Sequence, residues 1–301
     1  MTELALRTRG SQRRSASTDA PRVASRSVSR VRSSIGYALL ILVALLFLSP
    51  LIFMVATSLK PPAEVFTSPP TLVGSVIQWS NYADVFDYAP FGRYLVNGMI
   101  VAIGGTLLTL VVSALSGYAF ARLRFRGRGA TFAVFLATMM LPQEVIIVPA
   151  FVLMRELGWV NSYQALIVPW AFTALGAFLL RQFFMTVPQE LEDAARIDGA
   201  GTVTTFLRIM LPLARPTLAV LAVFTFITYW NSFLWPLIVV NDVTQLGTIP
   251  LGLQLFVGQQ GTQWHLIMAA SVISMLPTTV LLIVLQRYLI RGIVTSGLGG
   301  R

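Results

Sequence analysis

The chain has 301 residues and a formal net charge of +10, yet only 11% of its residues are charged while 55% are hydrophobic. Soluble domains carry about a quarter charged residues, so this balance places the chain in the membrane class. Cysteine is absent and His265 is the single histidine, which excludes disulfides, thiolate metal sites, histidine metal clusters and a Ser/His triad, and leaves His265 as a polar residue at a helix entrance.

The sole lysine, Lys60, is followed by Pro61 and Pro62. A nucleotide-binding Gly-x-x-x-x-Gly-Lys-Ser/Thr loop is therefore missing, and any use of ATP needs a site on another subunit. The basic excess invites a nucleic-acid reading, but its distribution follows membrane topology and no nucleic-acid partner is expected.

Residues 1–34 are rich in Arg and Ser without apolar periodicity and read as a disordered cytoplasmic tail. Such a polybasic tail can touch anionic lipid, although fixing topology is its simpler role. An apolar stretch over 36–57 follows; its length and the lack of a small-residue cleavage site make it an uncleaved first span rather than a signal peptide. Five further stretches, 94–121, 131–154, 165–184, 217–240 and 266–285, match the roughly 20 apolar residues that cross a hydrocarbon core of about 30 Å. With the N-terminus inside, all but three of the 22 basic residues fall on the cytoplasmic side, the exceptions being Lys60, Arg93 and Arg155. Both termini are thus expected in the cytoplasm. The outer loop 58–93 carries Trp79 and Tyr82, residues suited to a membrane interface, and none of the outer loops is long enough for a domain of its own.

Within the second span Asn97 reads as helix-packing glue. In the third, Leu141-Pro142-Gln143-Glu144 sets a proline and a carboxylate into apolar surroundings, and an ionisable group there faces a cavity or a protein partner rather than lipid. Between spans four and five lies a cytoplasmic loop, about 188–212, that is too long for a turn. From 190 to 201 it holds four acids and one arginine, on the side where arginine otherwise dominates. Pro188, then Glu190, Glu192 and Asp193 in a first helical turn, suit a helix start, with Glu192 and Arg196 as an i, i+4 pair. Gly199 is the expected left-handed residue past its end, and Thr202 the cap of a second helix running toward Leu211, Pro212 and Pro216. Leu191, Ala194, Ala195 and Asp198 share a face small enough for another surface to approach. A helix this short is not stable alone in water, so a docking partner is expected.

The stretch ELEDAARIDGA followed by FLRIMLPLARP resembles the EAA loop of ABC-importer permeases, the coupling helix that docks on the ATP-hydrolysing subunit. Asp193, Ala194 and Ala195 stand for Glu-Ala-Ala, Gly199 for the glycine, and Ile209, Leu211 and Pro212 for the closing Ile-x-Leu-Pro; Asp193 departs from the usual glutamate, and Glu192 beside it is the alternative carrier of that role. WNSFLWPLIV in the fifth span, LQRYLIRGIVTSGLGG near the end and NYADVF before the second span are similar to the carbohydrate, maltose-type branch.

The resemblance implies an all-α polytopic protein with six transmembrane helices and the MetI-like type I importer architecture. The expected organisation is a tail over 1–34, a permease domain over 35–291 and a C-terminal tail over 292–301. It implies a second permease subunit, two ATP-binding subunits that use ATP and magnesium, an extracytoplasmic solute-binding protein and a carbohydrate as solute. The chain itself is expected to hold no cofactor, metal or catalytic residue. Coupling residues carried over are Glu192, Asp193, Ala194, Ala195, Asp198, Gly199 and Ala200. For the pathway, Tyr229, Asn231 and Ser232 offer the aromatic and polar mixture that matches a sugar, with Glu144 as a further candidate. A glycerol-phosphate or polyol importer of the same family is the nearest alternative. An ion-driven secondary transporter, hinted at only by Glu144, and a polytopic enzyme are more distant ones.

Overall fold

The computed structural model describes residues 24–258 and 261–297, with side chains over 36–257 and 261–287. In chain order the helices are α1 (Ala24–Ser58), α2 (Asn81–Tyr88), α3 (Phe91–Arg122), α4 (Arg128–Ala137), α5 (Gln143–Glu156), α6 (Tyr163–Ile167), α7 (Ala174–Thr186), α8 (Glu190–Ile197), α9 (Thr202–Thr205), α10 (Leu211–Leu213), α11 (Arg215–Trp230), α12 (Leu234–Val239), α13 (Val243–Leu246), α14 (Ile249–Leu253) and α15 (Trp264–Gly297). A π-helical turn, Phe206–Met210, joins α9 to α10, and a hairpin of two-residue strands, β1 (Val257–Gly258) and β2 (Gly261–Thr262), precedes α15. The all-α expectation holds apart from this hairpin.

Helix α1 begins at Ala24, inside the stretch expected to be disordered, while residues 1–23 of that tail lie outside the described residues. The chain up to Ile52 forms a compact unit of its own, and Phe53 onward forms a second. The side chains of 36–50 are exposed, as suits a lipid-facing apolar helix. At the other end α15 continues helical to Gly297, into the expected C-terminal tail.

Among the described residues three helices are long and apolar enough to cross a membrane alone: Gly36–Ser58, Phe91–Arg122 and Trp264–Arg287. The other expected spans are interrupted. The third, expected as one helix, bends by 104° between Arg128–Met140 and Gln143–Glu156. The bend falls at Pro142, whose ring disfavours helical geometry at the preceding residue, and Leu141 is extended at φ −81°, ψ 119°. The fourth stops at Ile167 and resumes at Ala174. The fifth enters through a 74° bend between Thr202–Leu213 and Arg215–Trp230, then breaks again after Trp230. That break falls at Asn231, not at Pro236, which sits harmlessly in the first turn of α12.

Helix α3 organises the second unit. Its 32 residues extend about 48 Å. Its first half packs into a large apolar cluster with Val85, Leu166, Trp235, Val239, Leu246, Ile249, Phe256 and Leu266. Its last turns, Ala114 and Tyr118, pack into a separate cluster with Leu180, Phe184, Phe206, Met210 and Ala214. Every loop that the arginine distribution places outside contributes to the first cluster; of the two connecting loops it places inside, the longer, 185–216, contributes to the second and the short one, 122–130, to neither. The outside loops and the longer inside loop thus fall at opposite ends of α3, as the charges do.

The outer end is tied by polar side chains. Asn97 is buried; its amide donates to the carbonyls of Gln245 (3.0 Å) and Gly247 (2.9 Å), and its carbonyl accepts from the Tyr163 hydroxyl at 2.6 Å. The expectation of packing glue is met. In the first outer loop Asn81 donates to the carbonyls of Ser58 (2.8 Å) and Lys60 (2.9 Å), and the buried Lys60 ammonium donates to the Thr71 carbonyl. Ser75 donates from both its backbone N–H and its hydroxyl to Glu64, which holds that carboxyl below its usual range. The one lysine of the chain is therefore a structural donor inside a folded cap.

Replacing Asn97 by Ala leaves two buried carbonyls without a donor. We expect a loss of about 1–3 kcal/mol, read as a lower denaturation midpoint of the detergent-solubilised protein; an unchanged midpoint would contradict the assignment.

Candidate functional site

The loop between α7 and α9 folds as anticipated in outline. Helix α8 opens with Glu190, Glu192 and Asp193 in its first turn, where the helix dipole favours negative charge. It ends on Asp198, followed by Gly199 at φ +80°. The Gly199 N–H donates to the Arg196 carbonyl (3.0 Å) and the Ala200 N–H to the Ala195 carbonyl (2.8 Å), the paired bonds of a Schellman ending. A Cβ at Gly199 would meet nothing within 4 Å, so the backbone angle alone demands glycine. Thr202 differs from expectation. It is the first residue of α9, Gly201 occupies the capping position, and no side chain caps that helix end.

The faces of α8 also differ from expectation. Glu192 and Ala195, three apart, are the residues turned into the protein, with Glu192 only 3% exposed. Leu191, Asp193, Ala194, Ile197 and Asp198 are exposed, Ile197 to 87%. Instead of pairing with Arg196, Glu192 meets the last residue of α3: Arg122 Nε lies 2.8 Å from Glu192 Oε1. Neither of these two atoms has an aligned hydrogen bond, so the contact is ionic in character. The Tyr118 hydroxyl donates to Glu192 Oε2 at 3.3 Å, and Arg122 Nη2 donates to the Val187 carbonyl just past α7. Arg196 turns instead to Asp193 at 3.3 Å, an exposed pair worth little. The buried pair is another matter, since removing one partner strands a charge and typically costs about 3–5 kcal/mol.

The sequence reading used Arg122 only as a marker of topology and did not single out Tyr118. The signal for both was their four-residue spacing at the end of an apolar helix, opposite a loop with excess acid. Ile197 lies between the matched motif positions Ala195 and Gly199, and its exposure follows only once Glu192 fixes the rotation of α8.

The pathway candidates fall at the helix breaks. Tyr229 is buried, and its hydroxyl donates to the Ile167 carbonyl at 2.8 Å. The Trp235 indole donates to the Ala165 carbonyl at 2.8 Å. Both acceptors lie in the last turn of α6, where the interruption before α7 leaves carbonyls without helical donors. One broken helix thus supplies the donors that another lacks. Gly105 makes room for this, because a Cβ there would lie 2.4 Å from the Tyr229 ring. Asn231 and Ser232 occupy the break after α11: the exposed Asn231 amide donates back to Ile227 (3.0 Å), and the Ser232 N–H bonds the Tyr229 carbonyl (3.2 Å). Glu144 stands apart from these three, exposed in the first turn of α5 beside the 104° bend.

Against known families, residues 110–295 match the model described as "Binding-protein-dependent transport system inner membrane component". The chain belongs to this family. It is a permease component of an ABC importer and a multi-pass protein of the cytoplasmic membrane. It is similar to the sn-glycerol-3-phosphate transport system permease protein UgpE of Yersinia pestis, 39% identical over 269 residues that cover 86% of this chain and 95% of the relative. UgpE of Escherichia coli O6:K15:H31 is 37% identical, covering 87% of this chain and 95% of that one. Among solved structures, a chain of a bacterial ABC transporter involved in import of the acidic polysaccharide alginate superposes with a TM-score of 0.75 at 24% identity, over 87% of this chain and 98% of that one. A second, the alginate transporter in complex with its alginate pentasaccharide-bound periplasmic protein, gives 0.61 at 18% identity, over 84% and 93% of the two chains. These two likenesses speak to the fold.

Tyr229→Phe keeps the ring and removes the donor to Ile167. It should lower stability by about 1–3 kcal/mol and leave the solute preference of the importer unchanged, measured by thermal unfolding alongside competition transport assays. A switched preference with intact stability would place the hydroxyl on the solute instead.

Proposed function

We propose that this permease forms half of the translocation pathway for a carbohydrate, paired with a second permease subunit and served by two ATP-binding subunits and an extracytoplasmic solute-binding protein. ATP and magnesium act on the partner ATPase, and the chain contributes no catalytic residue of its own. The observation that carries this reading is α8: a short helix pinned on one face whose opposite face presents Leu191, Asp193, Ala194, Ile197 and Asp198 uncovered. An apolar residue as open as Ile197 on a cytoplasmic helix wants a protein groove. Asp193, beside it, takes the part of the motif glutamate toward the ATPase. Gly199 and Ala200 shape the turn that holds this face in place.

For the pathway, the irregular backbone at 231–233 is the supporting feature. Unwound chain at membrane depth is tolerated where it is covered by protein or lines a water-filled cavity. Asn231 and Ser232 are therefore assigned to the solute path, with Tyr229 fixing the wall behind them and Glu144 at a second break. Glycerol phosphate or a polyol is the competing solute, the former favoured by the names of the UgpE relatives.

The test is purification with the neighbouring subunits, followed by ATP hydrolysis measured over a panel of sugars, polyols and glycerol 3-phosphate with the cognate binding protein. Stimulation by a sugar supports the first reading, and stimulation by glycerol 3-phosphate alone replaces it. Ile197→Asp should weaken retention of the ATPase subunits by about tenfold or more, given that burying an unpaired charge is costly. Gly199→Pro, which forbids φ +80° and removes the N–H bonded to Arg196, should abolish coupled transport. Normal assembly and transport in both variants would sink the docking assignment.

A further inference from the structure

Glu192 belongs to the segment that the resemblance assigns to ATPase contact, yet its carboxylate points the other way. It is buried, held between Arg122 at 2.8 Å and the Tyr118 hydroxyl at 3.3 Å, both on the final turns of α3. The same guanidinium reaches the Val187 carbonyl at the end of α7. One arginine therefore joins three elements: the cytoplasmic end of α3, the end of α7 and the first turn of α8. The Tyr118 ring continues the joint on the apolar side, with its centroid 5.8 Å from Phe184 before the coupling helix and 5.0 Å from Phe206 after it. No comparable polar link from α8 to the rest of the chain is seen among the described residues; its other ion pair, Asp193 with Arg196, is internal and exposed.

We propose that Glu192 is a positioning residue that acts through Arg122 and Tyr118, rather than a docking residue, and that this buried joint transmits displacement of the coupling helix to α3 and α7. The physical basis is stiffness. An ion pair removed from water is poorly screened, and neither charge can leave its partner without becoming an unpaired buried charge. A push on the exposed face of α8 is then carried into α3, whose far end lies in the outer cluster with Trp235 and Leu246. A purely apolar contact would let α8 slide. The inference rests on the coupling reading proposed above, but it assigns a different residue, a different face and a different outcome on mutation.

The experiment uses the full transporter reconstituted in vesicles with its binding protein, and reads solute moved per ATP hydrolysed together with subunit stoichiometry. Glu192→Gln and Arg122→Gln should retain the ATPase subunits and basal hydrolysis while transport per ATP falls about tenfold, within the range of coupling free energies between linked sites. The charge-swapped pair, Glu192→Arg with Arg122→Glu, should recover coupling. Ile197→Asp is the contrast: it should cost retention of the ATPase itself, so loss there with no effect at Glu192 overturns the joint while sparing the docking face. An unchanged transport-to-hydrolysis ratio in both single variants also overturns it. Should the single variants fail to assemble, Tyr118→Phe decides, since it keeps the ring packing and removes only the hydroxyl: a lowered ratio supports the joint and an unchanged ratio overturns it.

Discussion

A chain this apolar has to satisfy every interrupted backbone group from within itself, and that constraint shapes the permease from Gly36 onward. Water in the hydrocarbon region is not available to carbonyls freed by a helix break, and each one left bare costs more than a typical contact returns. The breaks at 141–142, 168–173 and 231–233 would be liabilities in isolation. The second is answered by Tyr229 and Trp235, which flank the third and donate to Ile167 and Ala165. Two discontinuous helices thereby become one supported unit, with the Asn231 amide turned back on its own helix end. The small residue Gly105 on α3 allows the Tyr229 ring to reach across.

The same logic explains why charge appears where it does. At the outer end the polar groups that tie the fold include the buried amides of Asn81 and Asn97 and the half-buried Tyr163 hydroxyl, together with the single lysine, whose ammonium has a carbonyl acceptor. At the inner end a full ion pair is buried between α3 and α8. A buried ion pair is poor value as a source of stability, because hydrophobic replacement often does as well. What it supplies is a fixed rotation of a short helix that has little other surface to orient it. With Glu192 facing inward, the 100° step per residue carries Asp193 and Ile197 outward, and the exposed face of the importer's cytoplasmic loop follows from one contact.

Much of this was legible in advance. Hydropathy located the apolar stretches, arginine placement separated the outside loops, which share one packing cluster, from the 185–216 loop, which joins the other, and the position of Gly199 after Asp198 marked a left-handed helix ending that the backbone adopts. The EAA-type pattern carried the family. These signals are local or statistical: they need only composition, period or one residue's backbone preference. The third span departs from the continuous helix its apolar run suggests because Leu141, before Pro142, takes an extended conformation, a local preference that hydropathy does not register. The fifth span breaks at Asn231 and not at its proline, because Pro236 falls in a first turn, where proline is tolerated.

The sequence by itself determined that the chain crosses a membrane, which side each loop is expected to take and which segment carries the EAA-type pattern, because hydrophobic length, charge asymmetry and turn chemistry act on residues near one another. Which carboxylate of Glu192 and Asp193 turns outward was decided only by the tertiary structure. The two are equivalent by charge and adjacent by number, and the choice rests on Arg122, seventy residues earlier, arriving beneath α8 when α3 and α7 pack. The same holds for Tyr229, whose ring and hydroxyl suit a sugar on paper but are committed to Ile167 once two broken helices meet. Long-range pairing of this kind leaves no periodic trace in a single chain, since its energy comes from desolvated contacts between elements that only the fold brings together.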